Sequence, residues 1–234
     1  DVDFKDSTPE IRHLSGEQSN TSVIVAEQAV LKVFRRLHSG PHPEVEISQV
    51  LTDSHYANTG SLLGYMQRKD PDGKTYVLAV LQRYIASQGD GWSWLQGKLE
   101  RYALEEPPGT TSEVNWSITE EDLVADLTRM AGTIGQRLAE MHAALSRSMA
   151  PAFVPARADE RQCESWSNKI TSHLAEALNN LNKARLDESD RLLVEQLTQH
   201  HQAIDDKIRD LSRLGAGTVL IRIHGDLHLG QILI

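Results

Sequence analysis

The hydrophobic period of this chain changes near Asp90, and that change restricts its fold more than any other feature. Before it, apolar and β-branched residues come in short runs at 11–14, 21–25, 29–34, 61–68 and 75–84, as strands require. After it, Leu123, Leu127, Met130, Ile134, Leu138, Met141 and Leu145 recur at spacings of three and four, which puts all of them on one stripe of a long helix. A second helix is predicted over 159–184 through Trp166, Ile170, Leu174, Leu178 and Leu181. A third carries Leu193, Leu197, Ile204, Ile208 and Leu211 and is stopped by Gly215 and Gly217. Strands first and helices afterwards make an α+β chain.

Local signals punctuate this order. The polar stretch 15–20 separates the first two strands as a hairpin would, and Pro71-Asp72-Gly73 predicts a turn between the last two. Pro43, followed by Glu44 and Glu46, opens a helix over 43–52, since proline suits the first helical position and acidic residues suit the first turn. Thr119 with Asp122 resembles a capping box. Residues 105–112, rich in proline, glycine, serine and threonine, read as an exposed loop, and no internal repeat is present.

With 33 acidic and 24 basic residues among 234, the formal net charge is −9, which argues against a polyanion partner. The expected partner is therefore a small molecule, with no nucleic acid and no membrane surface. No apolar run approaches the roughly 18 residues of a membrane span. The single cysteine, Cys163, and a start without the basic and apolar regions of a signal peptide give a cytoplasmic expectation. A chain that starts at Asp1 and ends abruptly on apolar residues reads as a piece of a longer polypeptide.

The chemistry-bearing residues lie at the end. A short apolar run, 219–223, leads into His224-Gly225-Asp226-Leu227-His228-Leu229-Gly230-Gln231. An aspartate followed five positions later by an amide side chain is the spacing of a phosphoryl-transfer loop, in which the carboxylate takes the proton of the attacking hydroxyl and the amide oxygen binds magnesium. Asp226 is the candidate general base, Gln231 the candidate metal ligand, and His224 a brace for the loop. One amide oxygen does not suffice for magnesium, and a second metal-binding aspartate has no counterpart in the three residues that follow. A transition-metal site built from His224, Asp226 and His228 is the alternative.

Upstream, Lys32 lies inside an apolar strand, where a charge needs a partner. On the kinase reading it touches nucleotide phosphates, with Glu46 as ion-pair partner and Glu44 as runner-up. Gln18, Ser19, Asn20 and Thr21 stand where backbone amides and hydroxyls would meet phosphate oxygens, though the stretch lacks the glycines of a P-loop. Trp92 and Trp94 read as packing anchors, and His142 and the His200-His201 pair as polar edges of helices.

These segments, 17–22, 31–37, 43–46 and 224–231, together resemble the bacterial maltokinases, including the maltokinase domains fused to trehalose synthase. The resemblance implies an aminoglycoside-phosphotransferase-like, two-lobed protein-kinase-like fold, with a strand-rich N-lobe over 1–85 and a helical C-lobe over 86–234 truncated after the catalytic loop. It implies ATP and Mg2+ as cofactors and maltose as acceptor, phosphorylated at its anomeric hydroxyl to maltose 1-phosphate for α-glucan synthesis. It also implies an adenine-contacting hinge at 82–86, with Gln82 and Tyr84, and trehalose synthase as a covalent partner. Another small-molecule kinase of the same fold, acting on an aminoglycoside, choline or a different sugar, and a catalytically silent binding module are the alternatives.

Overall fold

Residues 9–14, 20–104 and 119–234 are described by a computed structural model of the chain. Residues 15–19 of the turn predicted over 15–20, and the exposed loop at 105–112, lie outside the described residues. The α+β expectation holds: a five-stranded antiparallel sheet forms first, and helices follow. The strands are β1 (Ile11–His13), β2 (Asn20–Val25), β3 (Ala29–Phe34), β4 (Leu62–Lys69) and β5 (Thr75–Arg83), in the spatial order β1-β2-β3-β5-β4. Helix α1 (Pro43–Asp53) connects β3 to β4. Helices α2 (Gly91–Leu104) and α3 (Glu120–Ser146) follow the sheet.

The chain divides into two compact units, one of residues Asp1–Phe153 with Ile223–Ile234, the other of Val154–Arg222. The boundary expected at residue 85 falls inside the first unit. The second unit holds a two-residue ladder between β6 (Ala156–Arg157) and β7 (Val219–Leu220), with helices α4 (Glu160–Lys183), α5 (Glu188–Gln199) and α6 (His201–Arg213). Two departures from the predicted elements occur here. The single helix expected through Leu193 and Leu211 is broken at His200, whose imidazole Nδ1 lies 2.8 Å from the Gln196 carbonyl oxygen and whose backbone leaves helical geometry at φ −93° and ψ 1°. The strand expected over 219–223 ends at Leu220, which pairs with Ala156, the first residue of its ladder partner β6 among the described residues.

In the first unit, α1 buries two faces. Val45 joins Phe34, Val77 and Val80 on the sheet, with Leu62 packed against them. Val50 and Leu51 join Leu145 and Phe153, together with Met141 and Ala144 of α3. Val80 and Leu145 are wholly excluded from solvent. Each such side chain contributes about 1.5–3 kcal/mol through its removal from water. Thr119 caps α3 as expected, its hydroxyl accepting from the Asp122 amide at 3.1 Å while the Asp122 carboxylate accepts from the Thr119 amide at 3.2 Å. Between α2 and α3, Lys98 is paired with Asp126 and lies 5.4 Å from the centre of the Trp94 ring. Trp92 is 56% exposed, so it is no packing anchor. Among the described residues, no helix is long and apolar enough to cross a membrane.

Two close approaches lead to predictions. A Cβ on Gly60 would stand 2.5 Å from the Arg83 carbonyl oxygen, a backbone atom with little room to retreat, whereas nothing lies within 4 Å of one on Gly64. Gly60→Ala is expected to lower stability by about 1–3 kcal/mol in urea unfolding, as overpacking does, and Gly64→Ala to have a much smaller effect. His42, immediately before α1, stacks on Phe34 with ring centres 4.1 Å apart, and its Nδ1 is buried without a hydrogen-bond partner. Burial is the largest influence on this imidazole and holds it below the ordinary histidine value of 6.5; Glu44 opposes that shift, while His38 and Lys32 reinforce it. The unfolded chain therefore binds this proton more readily, and stability falls as pH drops below 6.5. Unfolding midpoints measured from pH 7.5 down to pH 5 should decline less steeply in His42→Phe than in the parent; parallel curves would contradict this assignment.

Candidate functional site

The sheet brings the first group of candidate residues together by register. Lys32 on β3 stands opposite Ser22 on β2 and Val80 on β5, so the three share the face on which α1 packs. Asn20, opposite Phe34, lies on this face too, as does Gln82, opposite Val30. Thr21 is paired with Val33 and points to the other face, because successive strand residues alternate. Gln18 and Ser19 lie outside the described residues.

Helix α1 decides the partner of Lys32. Its ammonium Nζ meets the Glu44 carboxylate Oε1 at 3.1 Å, with side-chain exposures of 21% and 27%. The expected pairing with Glu46 is thus corrected to Glu44. Residues two apart on a helix point in widely different directions, so when Glu44 faces the sheet, Glu46 cannot. Glu46 instead lines a surface cavity of about 750 Å3 with Gln49, Asp53, Arg147 and Phe153. The partly screened ion pair fixes the ammonium over the sheet more than it stabilises the fold.

The hinge candidates are likewise held. Gln82 donates its amide hydrogen to the Ser48 hydroxyl of α1 at 2.8 Å, a bond between the sheet and the same helix. Tyr84 donates its backbone N–H to the Gln28 carbonyl at 2.9 Å, and its phenol oxygen receives Arg12 Nη2 at 3.5 Å. Residues 88–91 then meet the end of the chain. Gln88 donates to the Ile234 carbonyl at 2.7 Å, Ile234 to Gly89 at 3.0 Å, and Gly91 to Ile232 at 2.8 Å.

The second group is the loop itself. Gly225 adopts φ +83°, a conformation that glycine enters without Cβ strain. It turns the chain so that the Asp226 amide meets His224 Nδ1 at 3.3 Å. The His224 amide in turn meets Nε2 of His142, on α3, at 3.3 Å. His142 is the residue that sequence reasoning passed over as a helix edge; its place one position after Met141, beside the apolar stripe, was the available signal. The Asp226 side chain remains exposed. A short 3-10 turn, Leu229–Gln231, closes the loop with the Gln231 amide on the His228 carbonyl at 3.0 Å.

A cavity of about 550 Å3 lies beside this loop, lined by Met130, Ile134, Met141, His224, Gln231 and Ile232 among others, mostly apolar with a polar edge. Lys32, Gln82, Tyr84 and Asp226 are not part of its wall. Among the described residues, no three His, Cys, Asp or Glu side chains converge on one point, so the His224, Asp226 and His228 alternative gains no support. Gln231 is exposed and offers a hard oxygen donor of the kind magnesium takes.

No family model matches the chain. Among characterised proteins it is similar to a glucosamine kinase of Mycolicibacterium smegmatis, 26% identical over 222 residues that cover 95% of this chain and 48% of the relative. It is also similar to one of Streptacidiphilus jiangxiensis, 29% identical over 221 residues that cover 93% and 43%. The chain thus spans about half the length of the curated relatives it matches. Solved structures agree on the fold. A glucosamine kinase in complex with glucosamine, ADP and inorganic phosphate superposes with a TM-score of 0.62 at 24% identity, over 99% of this chain and 51% of that one. A second crystal form gives 0.61 over 98% and 51%, also at 24% identity.

These findings correct the maltokinase resemblance. The relatives are glucosamine kinases, so maltose as acceptor, maltose 1-phosphate as product and the aminoglycoside-phosphotransferase-like label are withdrawn, and the trehalose synthase fusion loses its ground. The reason is chemical: the roles expected of Lys32, Asp226 and Gln231 concern phosphate and a hydroxyl proton, which kinases of many acceptors share, so those residues do not distinguish one acceptor from another. The fold of this chain is that of about half of a glucosamine kinase structure.

Proposed function

We propose that this chain is the nucleotide-binding and catalytic-loop portion of an ATP-dependent sugar kinase whose acceptor is glucosamine. In this reading the architecture is that of a two-lobed protein kinase, with the sheet and α1 as the nucleotide lobe. The observation that carries the proposal is the His224-Gly225-Asp226 turn, which presents an exposed carboxylate on a tethered loop, in a chain that aligns over 95% of its length with a glucosamine kinase.

The reaction assigns each group a task. A sugar hydroxyl oxygen forms a bond to the γ-phosphorus of ATP while the bond from that phosphorus to the β-phosphate oxygen breaks, and ADP leaves with the electron pair. Asp226 accepts the hydroxyl proton. Lys32, oriented by Glu44, places its positive charge against the phosphates. Asn20, at the start of β2, supplies donors to the phosphate oxygens, with Gln18 and Ser19 from the adjoining stretch, whereas Thr21, on the face opposite to Lys32, has no part in this; Gln82 and Tyr84 form the adenine side. The Gln231 amide oxygen would hold magnesium, which would supply charge neutralisation at the phosphates.

The full-length protein, incubated with ATP, magnesium and either glucosamine, glucose or maltose, should form a phosphate monoester with glucosamine when followed by phosphorus NMR. No glucosamine-dependent signal would overturn the proposal. Asp226→Asn should lower kcat by about 10²–10⁴-fold, the usual contribution of a positioned general base, while ADP binding measured by calorimetry is retained. Glu44→Gln should weaken ADP binding and Glu46→Gln should leave it unchanged.

A further inference from the structure

We infer that His142 is a positioning residue for the turn that carries Asp226, acting through His224; the catalytic side of this inference rests on the kinase reading above. Two hydrogen bonds run in series from α3 to Asp226. The His224 amide donates to His142 Nε2 at 3.3 Å, and the Asp226 amide donates to His224 Nδ1 at 3.3 Å. An imidazole nitrogen accepts a hydrogen bond only when it carries no proton, so each bond specifies a tautomer. His142 must hold its ring proton on Nδ1, and His224 on Nε2.

The local geometry explains the residue types. Gly225 at φ +83° reverses the chain, so that the amide of residue 226 returns to the ring of residue 224. This is the arrangement an aspartate or asparagine makes with the amide two residues on, with imidazole as the acceptor instead of a carboxyl oxygen. His224 lines the same cavity as Met130, Ile134 and Met141 of α3. The downstream end of the loop is fixed independently, by Gly91 to Ile232 and by the exchange between Ile234 and residues 88 and 89. Upstream, β7 ends at Leu220. Between Leu220 and the 3-10 turn at Leu229, His142 thus provides a fixed point 82 residues away in sequence. A carboxylate that must meet a hydroxyl within about 3 Å depends on such a point, since a misplacement of about 1 Å can cost on the order of 100-fold in rate.

The test uses the full-length protein with His142→Leu, which removes the acceptor, and His142→Gln, whose amide oxygen can replace it. Nitrogen-15 NMR of the parent should show the Nδ1–H tautomer at His142 and the Nε2–H tautomer at His224. Hydrogen exchange at the amides of His224 and Asp226 should accelerate about tenfold or more in His142→Leu, since an amide bond that opens locally loses protection. In the same variant kcat for glucosamine should fall about 10–100-fold with KM for ATP unchanged, and His142→Gln should recover most of both effects. A parent His142 protonated on Nε2 would overturn the inference, as would an unchanged exchange rate in His142→Leu. Equal losses in the Leu and Gln variants would mean that the ring acts by packing and would overturn it too. A parent enzyme inactive on glucosamine but with the stated tautomers and exchange pattern would sink the kinase reading and leave the tether demonstrated.

Discussion

The two-sided burial of α1 is the constraint on which the first unit depends. Val45 closes the sheet core with Phe34, Val77 and Val80, while Val50 and Leu51 close a second core with Leu145 and Phe153. A helix that must satisfy both cores has little freedom to rotate about its axis, because a turn large enough to move one apolar face exposes the other. Its polar residues are therefore assigned by elimination. Glu44 is directed at the sheet, where Lys32 waits between Ser22 and Val80, and Ser48 is directed at Gln82. The ion pair is a consequence of hydrophobic packing and has electrostatic value only because the packing sets its geometry.

The loop near the end of the chain follows a different logic. It contributes little to either core, and Leu227, Leu233 and Ile234 remain substantially exposed. Its position comes from directional bonds, two imidazole acceptors upstream and a short antiparallel exchange with residues 88–91 downstream. Gly91 allows that exchange, since a Cβ there would stand 3.0 Å from both the Leu229 carbonyl oxygen and the Met130 methyl carbon. Hydrogen bonds of this type contribute only about 1 kcal/mol each to stability. Their value here is geometric: they present a charged side chain to solvent on a backbone of defined course.

Much of this was readable from the residues in order. The stripe from Leu123 to Leu145, the capping pair Thr119 and Asp122, and the turn at Asp70 to Gly73 all express local rules, and the structure keeps them. Lys32 was recognisable because a charge inside an apolar strand requires a partner. The break at His200 was not readable, because the apolar spacing of Leu197 and Ile204 continues a helical period across it while the backbone turns on a side-chain contact. Nor was any acceptor: the roles expected of Lys32, Asp226 and Gln231 concern phosphate alone and carry no information about a molecule that would receive it.

By itself, then, the sequence determined the α+β order of elements and the limits of most of them, since each depends on residues close together along the chain. Only the tertiary structure decided that Lys32 meets Glu44 and not Glu46, and that His142 holds His224. Both are settled by helix rotation, which is fixed by what the opposite face of the helix buries. For α1 that information lies tens of residues from Glu44, in Val80, Leu145 and Phe153, and becomes available only when those side chains pack.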